Sequence, residues 1–275
     1  MKIHCELCFH RCMLDEGQIG LCRARGCRDG RVVPLNYGKL TSLALDPIEK
    51  KPLRRFRPES RILSAGSFGC NLRCPFCQNH EISMASEGEL YTESFSPEQL
   101  ADRAAKLVPQ GNIGVAYTYN EPLVGYEYVR DCVALIHERG LVNVLVTNGM
   151  IEEAPWRELL PFIDAANIDL KGFTAAWYKK MGGDLDTVKR SIMLAAKQCH
   201  TEVTTLLVPG ENDSVDEIRE LAHWLASVDP DIPLHLSRFF PRYQMMDRLP
   251  ESVERVYRLA DEARAYLTYV YTGNC

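Results

Sequence analysis

The sequence predicts an α/β protein organised around a parallel sheet. From residue 61 onward, apolar strand-like runs alternate strictly with amphipathic helical stretches, which is the pattern of βα units with helical crossovers. The composition, 46% hydrophobic and 25% charged over 275 residues, is that of an ordinary globular chain long enough to bury a large core. Strands are predicted at 61–68, 113–118, 142–147, 165–170, 202–208 and 232–236, with a short late one at 267–271. Helices fit between them. Ser96 reads as an N-cap, with Pro97 at the first helical position and Gln99 completing a capping box. A second helix opens at Ser214, with Glu217 three residues on and Ile218, Leu221, Ala222 and Leu225 along one face. A third opens near Pro250 and is expected to bury Val253, Val256, Tyr257 and Ala260. Six such units allow an open doubly wound sheet or a full or partial barrel, and periodicity alone does not choose. In each of these, ligands belong at the carboxyl ends of the strands.

Upstream the character changes. Residues 1–30 are rich in cysteine and arginine, with little periodicity, and read as an irregular segment ordered by metal. Residues 31–60 hold short β-like pieces and then a basic, proline-punctuated link, Lys50-Lys51-Pro52-Leu53-Arg54-Arg55-Phe56-Arg57-Pro58. The expected division is a cysteine-rich segment and link over 1–60, and a core over 61–275.

Net charge is -5, which argues against nucleic acid as the default partner. The charge is uneven: residues 1–60 hold 12 Lys and Arg against 7 Asp and Glu, so the front is basic and the remainder acidic. Such a front is either a solvated face or the mark of an anionic ligand or partner. Eleven cysteines are many for this length. The opening Met1-Lys2-Ile3-His4-Cys5 carries no apolar leader core, and no apolar run is long enough to span a bilayer. The expectation is therefore a cytoplasmic protein without membrane contact, whose clustered thiols are metal ligands or catalytic groups rather than disulfides.

The sharpest signal follows the first strand: Ser67-Phe68-Gly69-Cys70-Asn71-Leu72-Arg73-Cys74-Pro75-Phe76-Cys77-Gln78-Asn79. Three cysteines at x3 and x2 spacing share one short loop, and Gly69 and Pro75 favour a curled backbone that can turn the sulfurs inward. An electron-transfer [4Fe-4S] site takes four cysteines. Three leave one iron open to a small ligand, much as a catalytic zinc keeps an open position.

Cys-x3-Cys-x-aromatic-Cys, with Phe76 as the aromatic, resembles the signature of the radical S-adenosylmethionine (SAM) superfamily. The resemblance implies a partial TIM-type (β/α)6 barrel and a [4Fe-4S] cluster on Cys70, Cys74 and Cys77. It implies SAM bound at the open iron and cleaved by one electron to a 5'-deoxyadenosyl radical, with an electron donor such as flavodoxin or ferredoxin. Later segments resemble the glycyl-radical activases, of which the pyruvate formate-lyase activating enzyme is one. Thr118-Tyr119-Asn120-Glu121-Pro122 stands where those enzymes have Gly-Gly-Glu-Pro, so Glu121 is implied as the partner of the SAM amine, with Tyr119 and Asn120 in place of both glycines. Phe76, Asn79, Thr147, Asn148 and Leu206 are implied as further cofactor contacts. Asp169 and Lys171, in Asp169-Leu170-Lys171-Gly172, are implied catalytic residues, and alternation points both to one side. Each has a plainer reading: Glu121 as a charge at a helix start, Thr147-Asn148-Gly149 as turn chemistry, and Asp169–Lys171 as a structural ion pair. The runs 46–53, 237–241 and 269–275 narrow the resemblance to the AmmeMemoRadiSam group, which implies Memo-like or AMMECR-like partner proteins.

Cys5-x2-Cys8-x3-Cys12-x9-Cys22 offers four soft ligands for zinc or an auxiliary Fe–S cluster. Cys132 and Cys199 fall in helical patterns and read as small core residues. His235 reads the same way. The functional expectation is hydrogen-atom abstraction from an unidentified substrate. Its rivals are an activase that places a glycyl radical on a partner enzyme, and a non-catalytic metal-binding interaction protein.

Overall fold

The computed structural model describes residues 2–275. Its N-terminal part is built from short antiparallel pieces. Strands β1 (Ile3–His4) and β2 (Met13–Leu14) pair with each other, and β3 (Arg25–Arg28) forms a hairpin with β4 (Arg31–Pro34). Strand β5 (Lys39–Leu40) pairs with the later β8 (Glu93–Ser94).

The central sheet contains β6 (Ser42–Pro47), β7 (Arg61–Gly66), β9 (Asn112–Tyr117), β10 (Val142–Thr147), β11 (Ala165–Asp169), β12 (His200–Leu207), β13 (Leu234–Arg238) and β14 (Val270–Gly273). Seven of these are parallel and stand in chain order from β7 to β14, while β6 lies antiparallel on the outer edge of β7. A doubly wound sheet reverses its strand order partway; this one never does. Every crossover steps the same way, which is the winding of a barrel. The end strands β6 and β14 do not pair, so the barrel is partial. The late strand predicted at 267–271 is β14, shifted toward the C-terminus, and it adds a seventh parallel strand after the six βα units. Strand 42–47, which the sequence groups with the N-terminal segment, joins the sheet of the core.

The helices are α1 (His80–Ser83), α2 (Pro97–Lys106), α3 (Tyr126–Glu138), α4 (Glu153–Leu159), α5 (Ala175–Lys180), α6 (Leu185–Ala195), α7 (Val215–Val228) and α8 (Val253–Arg264). The capping box at Ser96 and Gln99 forms with Pro97 in the first turn. Ile218, Leu221, Ala222 and Leu225 of α7 are fully buried, each large side chain contributing about 1.5–3 kcal/mol. In α8 the expected face is rotated. Val256 and Ala260 are buried together with Leu259 and Ala263, while Val253 and Tyr257 are 36% and 47% exposed. Ser252 caps this helix, so Val253 is its first residue and faces outward before the apolar stripe begins.

The basic link is not a tether. Ile48 and Leu53 are fully buried against Ile62, Ala116, Val142, Val144 and Ala165 of β7, β9, β10 and β11. Pro52 O accepts from Asn167 Nδ2 at 2.8 Å. The amides of Arg54 and Arg55 donate to the two carboxylate oxygens of Glu202 at 3.0 and 2.8 Å. The Arg55 guanidinium lies 4.0 Å from the Tyr269 ring centroid. Residues 48–57 thus close the N-terminal end of the barrel as a floor.

The N-terminal segment packs over the opposite end. Arg25 is buried and makes a bidentate pair with Glu127 of α3 at 2.7 and 2.6 Å. Cys70 N donates to Cys22 O at 3.1 Å, and Glu152 N donates to Leu7 O at 2.9 Å. Gly69 has a φ of +88°, and a Cβ there would stand 2.6 Å from both Ala24 Cβ and Cys22 O, so only glycine fits where the cysteine loop presses on this segment.

Candidate functional site

The loop after β7 is held from several sides. Asn71 Nδ2 donates to Met150 O at 2.7 Å, and Asn71 Oδ1 accepts from Asn148 Nδ2 at 2.9 Å, which ties the loop to the end of β10. His10 Nε2 stands 2.8 Å from Asn71 O, Arg73 N donates to Met181 O at 2.8 Å, and Gln244 N donates to Pro75 O at 2.9 Å. The Phe76 ring stacks on Trp177 at 5.8 Å between centroids.

These ties aim the loop into a cavity of about 450 Å³ inside the barrel. Cys70, Cys74 and Cys77 line it, as do Phe76, Asn79, Glu121, Asn148, Asp169, Lys171 and Leu206. Thr147 is the one predicted site residue of the core that stands behind the wall, where its hydroxyl donates to Glu121 Oε1 at 2.7 Å. Burial raises the thiol pKa of Cys70 and Cys74, the latter to about 12. A metal ion removes that penalty by taking the thiolate directly.

Glu121 follows β9 and is buried at the top of the cavity. Its carboxylate accepts from Thr147 Oγ1, from Asn148 N at 2.7 Å and from Leu123 N at 3.0 Å. Burial outweighs these three donors and raises its pKa to about 7. Asn120, at a glycine position of the activases, clamps the cysteine loop: its Nδ2 donates to Phe68 O and Gly69 O at 3.1 and 3.0 Å, and its Oδ1 accepts from Ser67 N at 2.9 Å. Tyr119 adopts a φ of +75°, a backbone region usual for glycine.

Asp169 and Lys171 form an ion pair of 3.0 Å at the ends of β11 and the following turn. Burial works against the Lys171 ammonium, but Asp169 and Cys74 outweigh it and hold its pKa above the usual lysine value. Lys171 O accepts from Trp177 Nε1 and Asn212 Nδ2 at 2.7 and 2.9 Å, which fixes the backbone beneath this pair.

The head cysteines stand apart from the cavity. Cys5, Cys8 and Cys22 are buried and Cys12 is half-buried. Cys5 and Cys22 lie close enough to Cys8 to add to the rise that burial imposes on its thiol pKa, to about 12. Among the described residues, no three His, Cys, Asp or Glu side chains are already gathered into a metal cage. Cys132 is buried in α3, Cys199 lies just past α6, and the thiol of exposed Cys275 donates to Gly273 O at 3.6 Å. His235 is buried, with Nε2 2.5 Å from Glu202 Oε2.

Sequence reasoning missed the floor of the cavity. Lys50 and Lys51 line it there, and Tyr119, Thr204, Ser237 and Asn274 line its walls. Tyr119 Oη donates to Asp46 Oδ2 at 2.6 Å, and Lys51 Nζ to the same oxygen at 2.8 Å. Burial disfavours the Asp46 carboxylate, but these two donors hold its pKa well below the usual value. The basic run 50–57 is the one signal of this floor that the sequence carries.

A barrel of βα units with three cysteines facing its cavity defines an enzyme class. The radical SAM superfamily matches residues 66–225, more than half the chain, and the chain belongs to it. It is 39% identical over 279 residues to the uncharacterized protein MJ0808 of Methanocaldococcus jannaschii, covering 99% of this chain and 81% of that one. It is 26% identical over 163 residues to the pyruvate formate-lyase-activating enzyme of Clostridium pasteurianum, covering 58% of this chain and 67% of that one. The fold superposes on a domain of a pyruvate-formate lyase-activating enzyme from Bacteroides vulgatus, with TM-score 0.51 and 19% identity over 58% of this chain and 99% of that one. It also superposes on a radical SAM methyltransferase from Sphaerobacter thermophilus, with TM-score 0.59 and 18% identity over 79% and 67% of the two chains. The protein is a radical SAM enzyme, activase-like in its core, that uses a [4Fe-4S] cluster, SAM and a reductant. No helix among the described residues is long and apolar enough to cross a membrane.

Proposed function

We propose that Cys70, Cys74 and Cys77 hold the catalytic cluster and that this cavity abstracts a hydrogen atom from a small-molecule substrate. The observation that carries the reading is the convergence of three thiols, one buried carboxylate and one half-buried ion pair on a single cavity. The donor set suits the group: three soft ligands on a loop tied on several sides leave one iron position for SAM. When bound, the cluster and SAM together supply a 5'-deoxyadenosyl radical. The chain's own residues bind and orient. Glu121 pairs with the SAM amine, and its three donors keep the carboxylate in place when ionised. Asn148 stands between Glu121 and the cysteine loop and registers one against the other. Asp169 and Lys171 fix polar groups of SAM or substrate, Phe76, Asn79 and Leu206 complete the pocket, and Thr147 holds Glu121 from behind its wall.

A cavity of about 450 Å³ is of the size that takes a small substrate. The activase reading, a glycyl radical placed on a partner enzyme, draws on the similarity to pyruvate formate-lyase-activating enzymes. A place in the AmmeMemoRadiSam group rests on the runs 46–53, 237–241 and 269–275. Each contributes a side chain to this one cavity, through Lys50 and Lys51, Ser237 and Asn274. A zinc ion or auxiliary cluster on Cys5, Cys8, Cys12 and Cys22, an electron donor of the flavodoxin or ferredoxin type, and Memo-like or AMMECR-like partners belong to the same reading.

The test is anaerobic. The protein is reconstituted with iron and sulfide, then given SAM and a strong reductant, and 5'-deoxyadenosine is measured by mass spectrometry beside a Cys74→Ala variant. Product from wild type alone is expected. A cluster-bearing wild type that makes none refutes the reading.

A further inference from the structure

The floor of the cavity carries a cation that the fold leaves incompletely paired. Lys51 is only 2% exposed, yet its ammonium makes one hydrogen bond, to Asp46 Oδ2 at 2.8 Å. An ammonium has three donors. Among the described residues no other acceptor lies within hydrogen-bond distance of this one. The rest of its surroundings are the Tyr119 ring, 4.6 Å from Nζ, and the cavity, which Lys51 lines. Burying a charge without full compensation is costly, so spare donors on a buried ammonium that faces a cavity mark a place for an acceptor. Burial accordingly pulls the Lys51 pKa below the usual lysine value, and Asp46 only partly restores it.

The local charge points the same way. Lys50 Nζ stands 3.4 Å from Asp46 Oδ1 with its side chain 67% exposed at the rim. Two ammonium groups thus share one carboxylate, and the floor carries a net positive charge. The Tyr119 hydroxyl donates to Asp46 and so occupies part of its accepting capacity without adding negative charge. Asp169, at the C-terminal end of β11, is taken by Lys171. Of the other cavity-lining groups, Thr204, Ser237 and Asn274 are neutral hydrogen-bonding side chains on the walls, Ser237 and Asn274 at the C-terminal ends of β13 and β14. The lysines follow β6 at the N-terminal end of the barrel, whereas Glu121 and the cysteines stand at the C-terminal end.

We propose that Lys51 and Lys50 form a subsite for the oxyanion head, carboxylate or phosphate, of the small-molecule substrate. The head would rest on the floor and the remainder would extend toward the cysteine loop. This deepens the reading of the cavity as a radical SAM active site and rests on it. It also gives the basic front of the chain a specific role, because Lys51 is turned inward with Lys50 beside it at the rim.

The experiment uses the reconstituted, SAM-loaded protein. Inorganic phosphate and succinate are titrated separately by calorimetry at constant ionic strength, with chloride as the control anion. Wild type, Lys51→Met and Lys50→Met are compared. Saturable binding of phosphate, succinate or both is expected in wild type, and the preferred anion tells which head the floor takes. Lys51→Met is expected to weaken it at least tenfold, the loss of one charge-assisted hydrogen bond. Lys50→Met alters an exposed head that the fold does not need, and is expected to weaken binding severalfold. Equal binding in all three proteins, or chloride competing as well as phosphate and succinate, overturns the subsite. The same preparations report 5'-deoxyadenosine. Product formation without lysine-dependent anion binding overturns the subsite alone. Lysine-dependent binding without product overturns the radical reading and leaves the subsite standing.

Discussion

Glu202 is the keystone of the barrel floor, and its removal gives a stability change that can be worked out beforehand. The carboxylate is fully buried and accepts from the amides of Arg54 and Arg55, with His200 and His235 at 2.8 and 2.5 Å. Burial alone would raise its pKa, but His200, His235 and the two amides outweigh it and lower the value from 4.5 to about 2. A depressed acid contributes stability that is present above its unfolded pKa and is lost as the pH falls through the folded one. Here the window runs from 4.5 down to about 2. A shift of that size corresponds to about 3 kcal/mol near neutrality and about 2.5 kcal/mol at pH 4. In Glu202→Gln the new amide retains one accepting oxygen, but its nitrogen faces a backbone N–H, so the substitution recovers little. Urea denaturation of wild type and Glu202→Gln at pH 7.5 and pH 4 measures the difference. The expectation is a loss of about 3 kcal/mol at pH 7.5 that shrinks at pH 4, with faster tryptic cleavage at Arg54 and Arg55. A difference below about 1 kcal/mol, or one that grows as the pH falls, would refute the account of how the floor is held.

Two further outcomes follow from the same geometry. Burial raises Glu121 to a pKa of about 7, so a proton must leave before the SAM amine can pair with it. SAM affinity is expected to rise about tenfold between pH 6 and pH 8, as the ionised fraction climbs from about 0.1 to 0.9, and to be flat in Glu121→Gln. Equilibrium binding across that range decides it, and a wild-type affinity independent of pH would remove Glu121 from the role. At Gly66, the last residue of β7, an added Cβ would stand 2.7 Å from Tyr119 Cδ2. Gly66→Ala is therefore expected to push the ring away from Asp46 and to cost about 1–3 kcal/mol by thermal denaturation, and an unchanged melting temperature would show that the ring has room to move.

Much of the fold and the site is legible in the sequence because the relevant signals are local. Strand and helix periodicity, the caps at Ser96 and Ser214, and the x3 and x2 spacing of Cys70, Cys74 and Cys77 are read within a dozen residues. The choice of a partial barrel is not local. It depends on strand order, which periodicity does not contain, and it rests on the resemblance of the cysteine loop and on the unbroken order β7 to β14. The buried face of α8 departs from expectation because the helix is capped by Ser252 rather than opening at Pro250, and every later position turns with that cap. The floor is unreadable for a different reason. Asp46, Lys51 and Tyr119 are brought together by one antiparallel strand and by a tyrosine in a glycine-like conformation, and neither leaves a pattern in sequence. The basic run reads as solvated because nothing in its composition separates a buried lysine such as Lys51 from an exposed one such as Lys50.

The basic link and the last residues of the chain meet twice. Arg55 donates to Tyr269 Oη at 3.1 Å across a separation of 214 residues, and Asn274 shares the cavity wall with Lys50. Contacts this far apart in sequence close late, because the intervening loop entropy must be met before they return anything. A barrel without residues 269–275 would have the cysteine loop but neither Asn274 on the cavity wall nor the partner that holds Arg55.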